Sequence, residues 1–375
     1  MNNLLNIIAF SYAKQTLLVG TRERERMVKY GTVFGTYHVI VFTRKTEQYP
    51  ACVQEGNVYF HATNSNYKIG MVIDAYRIGR NIIKHHKEKK WVVSAQDPLA
   101  SSLPALFLSM SHGAIFQVQI HGDIFNKYFF KRSMLAGCKR WYAIFVIRQA
   151  ARIRVVSERI KSSLLERGVR SEKITVLPVQ SDIQTFFEVG EQRTYVERDE
   201  VKFLYVGRFA QEKNLHFLIR AFAQAKSEGL KGTLALLGSG PTKSSLESEI
   251  QSLKVSESVY FLPWSNDVAA AMGAVDVLCL SSLHEGYAMV LHEAMASGLP
   301  LITTDVGCAG QVVRQAREGF VVPVRDTVKY VEALKRLSQD QVLREQYGRS
   351  AYARIQTLTL SDEDYLHKLV QSFKV

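Results

Sequence analysis

Short runs of β-branched and large apolar residues alternate along the chain with longer stretches whose apolar positions recur every three to four residues. The first pattern fits a strand buried on both faces and the second an amphipathic helix, so the sequence predicts repeated βα units around parallel sheets. In the first half the runs predict strands over 5–10, 37–42, 91–94, 115–120, 153–156 and 174–177. Ser157 is placed to cap a helix that Gly168 ends, because a serine side chain accepts from orphan helix N–H groups and glycine tolerates a left-handed exit. A second series predicts strands over 201–206, 233–237, 258–262, 277–280, 301–303 and 319–322.

Between the two series, residues 188–200 are polar and charge-rich with no period, which reads as a linker. A chain of 375 residues is also too long for one ordinary core. The expected organisation is an N-terminal domain over 1–188, a linker over 189–200, a C-terminal domain over 201–355 and a terminal helix within 356–375. Ser361 followed by two acids, with Tyr365, Leu366, Leu369 and Phe373 in helical register, predicts that last helix, which is expected to pack back on the N-terminal domain.

Composition adds little, since 47% apolar and 22% charged residues are ordinary for a globular chain. Apolar stretches such as 141–147 fall far short of the roughly 20 residues that span a bilayer. The start of the chain, with no basic leader, reads as a first strand of a cytoplasmic protein, and a peripheral position on the inner face of the plasma membrane stays open. Cys52, Cys138, Cys279 and Cys308 lack CxxC spacing and suggest neither a zinc site nor a disulfide framework.

Charge is more informative. Residues 1–188 hold 27 Lys and Arg against 13 Asp and Glu, a net +14, while the remainder holds 21 against 22, a net −1. The basic half favours an anionic partner. Within it, residues 125–161 interleave basic and aromatic side chains, among them Phe130, Lys131, Arg132, Arg140 and Trp141. Two readings stand side by side: an anionic membrane interface, or a core-facing helix with a solvated basic side. No nucleic-acid recognition motif accompanies the charge, so nucleic acid is not an expected partner.

Three segments carry candidate chemistry. In Tyr205-Val-Gly-Arg-Phe-Ala-Gln-Glu-Lys-Asn214 a strand delivers Arg208 and Lys213 into the loop at its carboxyl end, where open α/β sheets bind ligands. Two cations there suit a diphosphate, or decorate a solvated loop. Leu236-Leu-Gly-Ser-Gly-Pro241 puts Gly240 in a turn that lets backbone approach a ligand, although many βα connections look alike. The most specific segment runs from Ser281 to Pro300, with Glu285 in a loop, a helix expected to start near Tyr287, and Glu293 expected about two turns in. Amides of Gly286, Tyr287 and Ala288 would form an anion site at that helix start. Carboxylates around it can accept hydrogen bonds from sugar and ribose hydroxyls.

These segments resemble the donor-binding motifs of retaining glycosyltransferase family 4, closely over 200–325 and loosely in the N-terminal half. The resemblance implies the α/β GT-B architecture, two Rossmann-like domains facing a central donor cleft. Glu285 and Glu293 match the family's E-x7-E motif, which implies contacts with the donor sugar and the ribose, and Arg208 with Lys213 matches its diphosphate pair. Phe261-Leu-Pro-Trp264, including Pro263, corresponds to the segment flanking the base, and Gly307 lies in the loop after 301–304. Val118-Gln-Ile-His-Gly-Asp123 resembles the strand-end His-Gly that sets His121 beside the transferred sugar, and Leu177-Pro-Val-Gln-Ser-Asp182 resembles the segment closing the N-terminal domain. Two departures stand out: the glycine pair after the first strand is missing, with only Gly20 nearby, and Ala288 replaces a frequent glycine.

The implied reaction is transfer of a hexose with retention from a UDP- or GDP-linked donor to a glycan or lipid-linked acceptor. It needs neither a cofactor nor a metal, and no Asp-x-Asp motif is visible. A sugar-nucleotide epimerase of the same fold and a non-catalytic binder of sugar nucleotides are the competing expectations.

Overall fold

The computed structural model describes residues 4–129, 135–180, 182–263 and 267–374. The chain divides into two compact units. One takes residues 1–125, 130–179 and 360–375; the other takes 126–129 and 180–359.

The N-terminal unit runs β1 (Asn6–Ser11), α1 (Arg22–Gly31), β2 (Thr36–Val41), β3 (Cys52–Glu55), β4 (Val58–Ala62), α2 (Lys68–His85), β5 (Trp91–Ala95), α3 (Ser102–His112), β6 (Ile115–Ile120), α4 (Ala136–Gln149), β7 (Arg152–Val155), α5 (Glu158–Leu165) and β8 (Ile174–Val176). The strands form one sheet in the order β3-β4-β2-β1-β5-β6-β7-β8. Pairing is parallel except between β3 and β4. Helical crossovers cover both faces, which is why the central strands are apolar in nearly every position. The expected strands lie within a residue or so of these bounds. The β3–β4 hairpin was not expected: β3 is short, largely exposed and polar, and Gly56, at φ 60°, makes its turn.

The C-terminal unit runs α6 (Gln184–Glu191), β9 (Val201–Val206), α7 (Leu215–Ser227), β10 (Gly232–Leu237), α8 (Lys243–Ser252), β11 (Val259–Leu262), α9 (Val268–Gly273), β12 (Val277–Leu280), α10 (Met289–Ala296), β13 (Leu301–Thr304), β14 (Gly319–Val322), α11 (Thr327–Gln339) and α12 (Gln341–Leu358). Its sheet is parallel throughout, in the order β11-β10-β9-β12-β13-β14. The order reverses beside β9, and such a switch point opens a crevice at the strands' carboxyl ends.

Residues 189–200 are not a free linker. α6 packs on α9 and α10, with Phe186 in the core of the C-terminal unit. Arg193 then donates to Met272 O at 2.5 Å, to Val275 O at 2.9 Å and to Ser297 O, and Tyr195 Oη donates to Gly298 O at 2.8 Å. Arg193 and Tyr195 thus terminate helices, because the last carbonyls of a helix lack intrahelical donors, while most of the polar residues around them are exposed. The main run of the unit therefore begins at 180, not at 201.

The chain ends with α13 (Asp362–Gln371), whose cap is Ser361 and whose apolar stripe belongs to the N-terminal unit. Tyr365 stacks on Tyr30 with centroids 5.7 Å apart, and Phe373 meets Phe34 edge-on at 5.3 Å. Residues 356–358, assigned from sequence to this terminal segment, instead finish α12.

Candidate active site

Within the C-terminal unit, three loops at the carboxyl ends of neighbouring strands carry the candidate residues. The loop after β9 is tied to the loop after β12: Leu283 N donates to Glu212 O at 2.7 Å and Ser281 Oγ donates to Lys213 O at 2.8 Å. This stitching brings Lys213 Nζ to 2.6 Å from Glu285 Oε1, and Ser282 Oγ donates to the same oxygen at 2.6 Å. Glu285 is thus oriented by a cation and a hydroxyl. One ammonium proton is committed to it, which leaves two for other acceptors. Arg208 sits on the same loop, mostly exposed, its Nη2 held 2.5 Å from Glu212 Oε1. An exposed ion pair of that kind contributes little to stability, so the guanidinium can exchange partners cheaply.

The helix after Glu285 begins later than the sequence pattern suggests. α10 starts at Met289, and Ala288 stands before it at φ 70°. A side chain in this left-handed region is disfavoured by roughly 1 kcal/mol, which explains why a glycine suits the position. Glu293 is accordingly just over one turn into α10 rather than two. Gly286, Tyr287 and Ala288 form the lead-in loop, clamped from behind by Cys308 N donating to Tyr287 O at 3.0 Å. Gly307 makes that clamp fit: at φ 56°, a Cβ there would lie 2.8 Å from Tyr287 O and 2.9 Å from Glu285 Cβ.

Gly240 has a packing reason of its own, since a Cβ would lie 2.3 Å from Phe209 O. The Gly-Ser-Gly turn is pressed on the loop that carries Arg208, with Phe209 N donating to Ser239 O at 2.7 Å. Pro263 is exposed at the end of β11, and Trp264 lies outside the described residues. Ser282 went unnoticed in the sequence, although a hydroxyl three residues before a loop carboxylate is a recognisable local partner. Thr304 Oγ1 fixes it further by donating to Ser282 O at 2.8 Å.

His121 belongs to the N-terminal unit, directly after β6. Its Nε2 lies 3.1 Å from Gln96 Oε1, the residue after β5. Burial, with added repulsion from Arg154 and Arg26, lowers its pKa to about 3, so the ring is neutral with one donor and one acceptor nitrogen. A cavity of about 40 Å³ beside it is lined by Arg26, Gln96, Gln119 and Arg154 among others.

The model of the glycosyl transferases group 1 matches residues 191–354, and that of the glycosyl transferase 4-like domain matches 34–180. The chain belongs to this glycosyltransferase family. It is 26% identical over 318 residues to the capsular polysaccharide biosynthesis glycosyltransferase CapM of Staphylococcus aureus, spanning 81% of this chain and 82% of that one. It is also 26% identical over 234 residues, 60% of each chain, to an Escherichia coli UDP-Gal:alpha-D-GlcNAc-diphosphoundecaprenol alpha-1,3-galactosyltransferase. Among solved structures, the sucrose-phosphate synthase of Thermosynechococcus elongatus shares the fold with a TM-score of 0.78 at 19% identity over 98% of both chains. Anabaena HepE, in complex with UDP and glucose, gives 0.74 at 16% identity over 98% of this chain and 99% of that one. The two parallel-sheet units are those of GT-B glycosyltransferases.

Proposed function

We propose that the chain transfers a hexosyl group, with retention and without a metal, from a UDP- or GDP-linked donor to a glycan or lipid-linked acceptor in cell-surface polysaccharide or glycolipid synthesis. The observation that carries this reading is the Lys213–Glu285 contact at 2.6 Å in the loops that also hold Arg208. Arg208 and the two uncommitted ammonium protons of Lys213 take the donor diphosphate, assisted by the lead-in to α10, and so stabilise the leaving group. Glu285 accepts hydrogen bonds from the sugar, Glu293 from the ribose, and Pro263 and Gly240 flank the nucleotide. His121, neutral, hydrogen-bonds a hydroxyl of the transferred sugar. The activities of CapM and the galactosyltransferase, and the UDP complex of HepE, support the donor and acceptor classes.

Cytoplasmic work against the membrane's inner face is part of the same reading, and the exposed thiols of Cys52 and Cys138 suit a reducing compartment. No described helix is long and apolar enough to cross a membrane.

The test is a donor screen by thermal shift, followed by NMR of the anomeric product with and without EDTA. Transfer with inverted configuration, or loss of activity in EDTA, would overturn the corresponding part. Conversion of the donor's sugar without any acceptor would replace the transferase reading with an epimerase.

A further inference from the structure

The N-terminal unit carries an exposed apolar face that the transfer reaction does not use. α2 and α3 pack tightly together, and α3 also meets α4. The close approach has a local cause: a Cβ on Gly79 of α2 would lie 2.6 Å from Leu108 Cδ1 of α3. The outward side of this row presents Ile69 at 80%, Met110 at 75% and Trp141 at 71% exposure, with Ile73, Phe107 and Phe145 beside them. A groove of about 490 Å³ lies between α2 and α3, lined by Val72, Ile73, Tyr76, Phe107 and Met110. Singly exposed apolar residues are unremarkable, but a cluster of large ones around a groove marks a docking surface.

Charge selects the occupant. The three helices carry seven Lys and Arg against one acid, Asp74, which is already held by Arg77 at 3.3 Å and by Ser65 Oγ at 2.7 Å. A second copy docking through the same face would set like charges against each other. Nucleic acid would satisfy the cations but offers no apolar phase for Ile69 and Met110. An anionic bilayer satisfies both, with apolar side chains at the headgroup boundary and cations on lipid phosphates.

We propose that the α2–α3–α4 face docks on an anionic lipid surface, with Ile69, Phe107, Met110 and Trp141 inserted and Lys68, Arg77, Arg80 and Lys84 on the phosphates. Of the 125–161 segment that the sequence singled out, only α4 contributes to this row. Phe130, Lys131 and Arg132 lie outside the described residues. The inference rests on the proposed work at the membrane's inner face, and it fails or stands separately from the transfer reaction, because none of its residues belongs to the candidate active site.

The experiment uses the full chain with vesicles of phosphatidylglycerol and phosphatidylcholine against phosphatidylcholine alone. Co-sedimentation should be strong only with the anionic vesicles and should fall with salt. Trp141 fluorescence should shift to the blue on binding, and Trp141→Phe should remove the shift. Arg77→Ser with Arg80→Ser should weaken partitioning roughly 25-fold, at about fivefold per charge. Phe107→Ser with Met110→Ser should weaken it comparably, with Ile69→Ser as a second variant should that pair misfold. An unchanged melting temperature in each variant excludes misfolding. Equal binding to neutral vesicles, no effect of either pair, or a concentration-dependent dimer that the apolar pair abolishes would each overturn the proposal.

Discussion

Lys213 Nζ lies 2.6 Å from Glu285 Oε1, joining two loops 72 residues apart in the chain. The pair is mostly withdrawn from water, so each partner holds the other in one rotamer. Lys213→Met should lower kcat/KM by roughly 10²- to 10³-fold, the usual cost of removing one preorganised charge from a transition state. The melting temperature should change only modestly. Lys213→Met combined with Glu285→Gln should cost less than the two single losses together, since each single change already disorders the other loop. Steady-state kinetics on the four proteins of the cycle checks this; strict additivity would mean that the contact does not organise the site.

Arg193 ends two helices at once, through Met272 O, Val275 O and Ser297 O. Arg193→Ala should destabilise the chain by roughly 2–4 kcal/mol, because three carbonyls lose a charged donor in a place where water enters poorly. Urea unfolding monitored by tryptophan fluorescence measures it. A residue in a free linker would change the midpoint hardly at all.

That contrast shows where the sequence was readable. Strands such as β9 and β12 are apolar because both faces are covered, and such runs announce themselves without knowledge of the partner. The E-x7-E spacing likewise fixed Glu285 and Glu293 on either side of a helix start. Arg193 and Tyr195 could not be read this way, since their acceptors are carbonyls roughly 80 to 100 residues away and a capping arginine looks like a solvated one. The β3–β4 hairpin was hidden for a different reason: its outer strand is an edge, where exposure permits a polar sequence. The start of α10 was misplaced because Ala288 adopts a glycine-like conformation that its identity does not signal.

Arg154 is a buried guanidinium, 3% exposed, that donates to neutral acceptors: Leu177 O at 3.0 Å, Pro178 O at 2.9 Å, Tyr365 Oη at 2.6 Å and Gln119 Oε1 at 3.3 Å. It fastens α13 to the end of β8. Arg154→Met should cost about 3 kcal/mol or more, and Tyr365→Phe about 1–2 kcal/mol, from unsatisfied buried partners. Hydrogen exchange of residues 362–371 should rise in both. If protection of α13 survives Arg154→Met, its docking rests on Phe373 and Leu369 alone.

Four histidines are held neutral by burial: His38 and His121 with pKa near 3, His61 and His292 near 4, against an ordinary 6.5. Each folded value lies below the unfolded one, so the unfolded chain binds more protons between them. Stability is therefore full above about pH 6.5 and is lost as pH falls toward 4, by up to about 1.4 kcal/mol per pH unit for each ring. Urea midpoints should hold from pH 8 to about pH 6.5 and fall from there to pH 5, and His38→Gln with His61→Gln should flatten that fall. The same shift predicts that His121 adds no inflection to the rate profile between pH 5 and 8. An ionisation near 6.5 that His121→Asn removes would contradict its burial.

His292 offers the sharpest test of burial in α10. Its Nε2 is buried with no hydrogen-bond partner among the described residues, and its ring lies 4.8 Å from that of Tyr287. A buried polar atom without a partner costs about 1–3 kcal/mol, whereas an apolar group of similar size costs nothing of the kind. His292→Leu should therefore stabilise the chain by about 1 kcal/mol, a rise of roughly 2–4 °C in melting temperature for a domain of this size. The substitution also removes one titrating ring, so the gain should be larger at pH 5 than at pH 8. Calorimetry at both pH values reads the two effects separately. A fall in melting temperature at pH 8 would mean that Nε2 has a partner after all, a bound water or a ligand group, and that His292 supports the site rather than straining it.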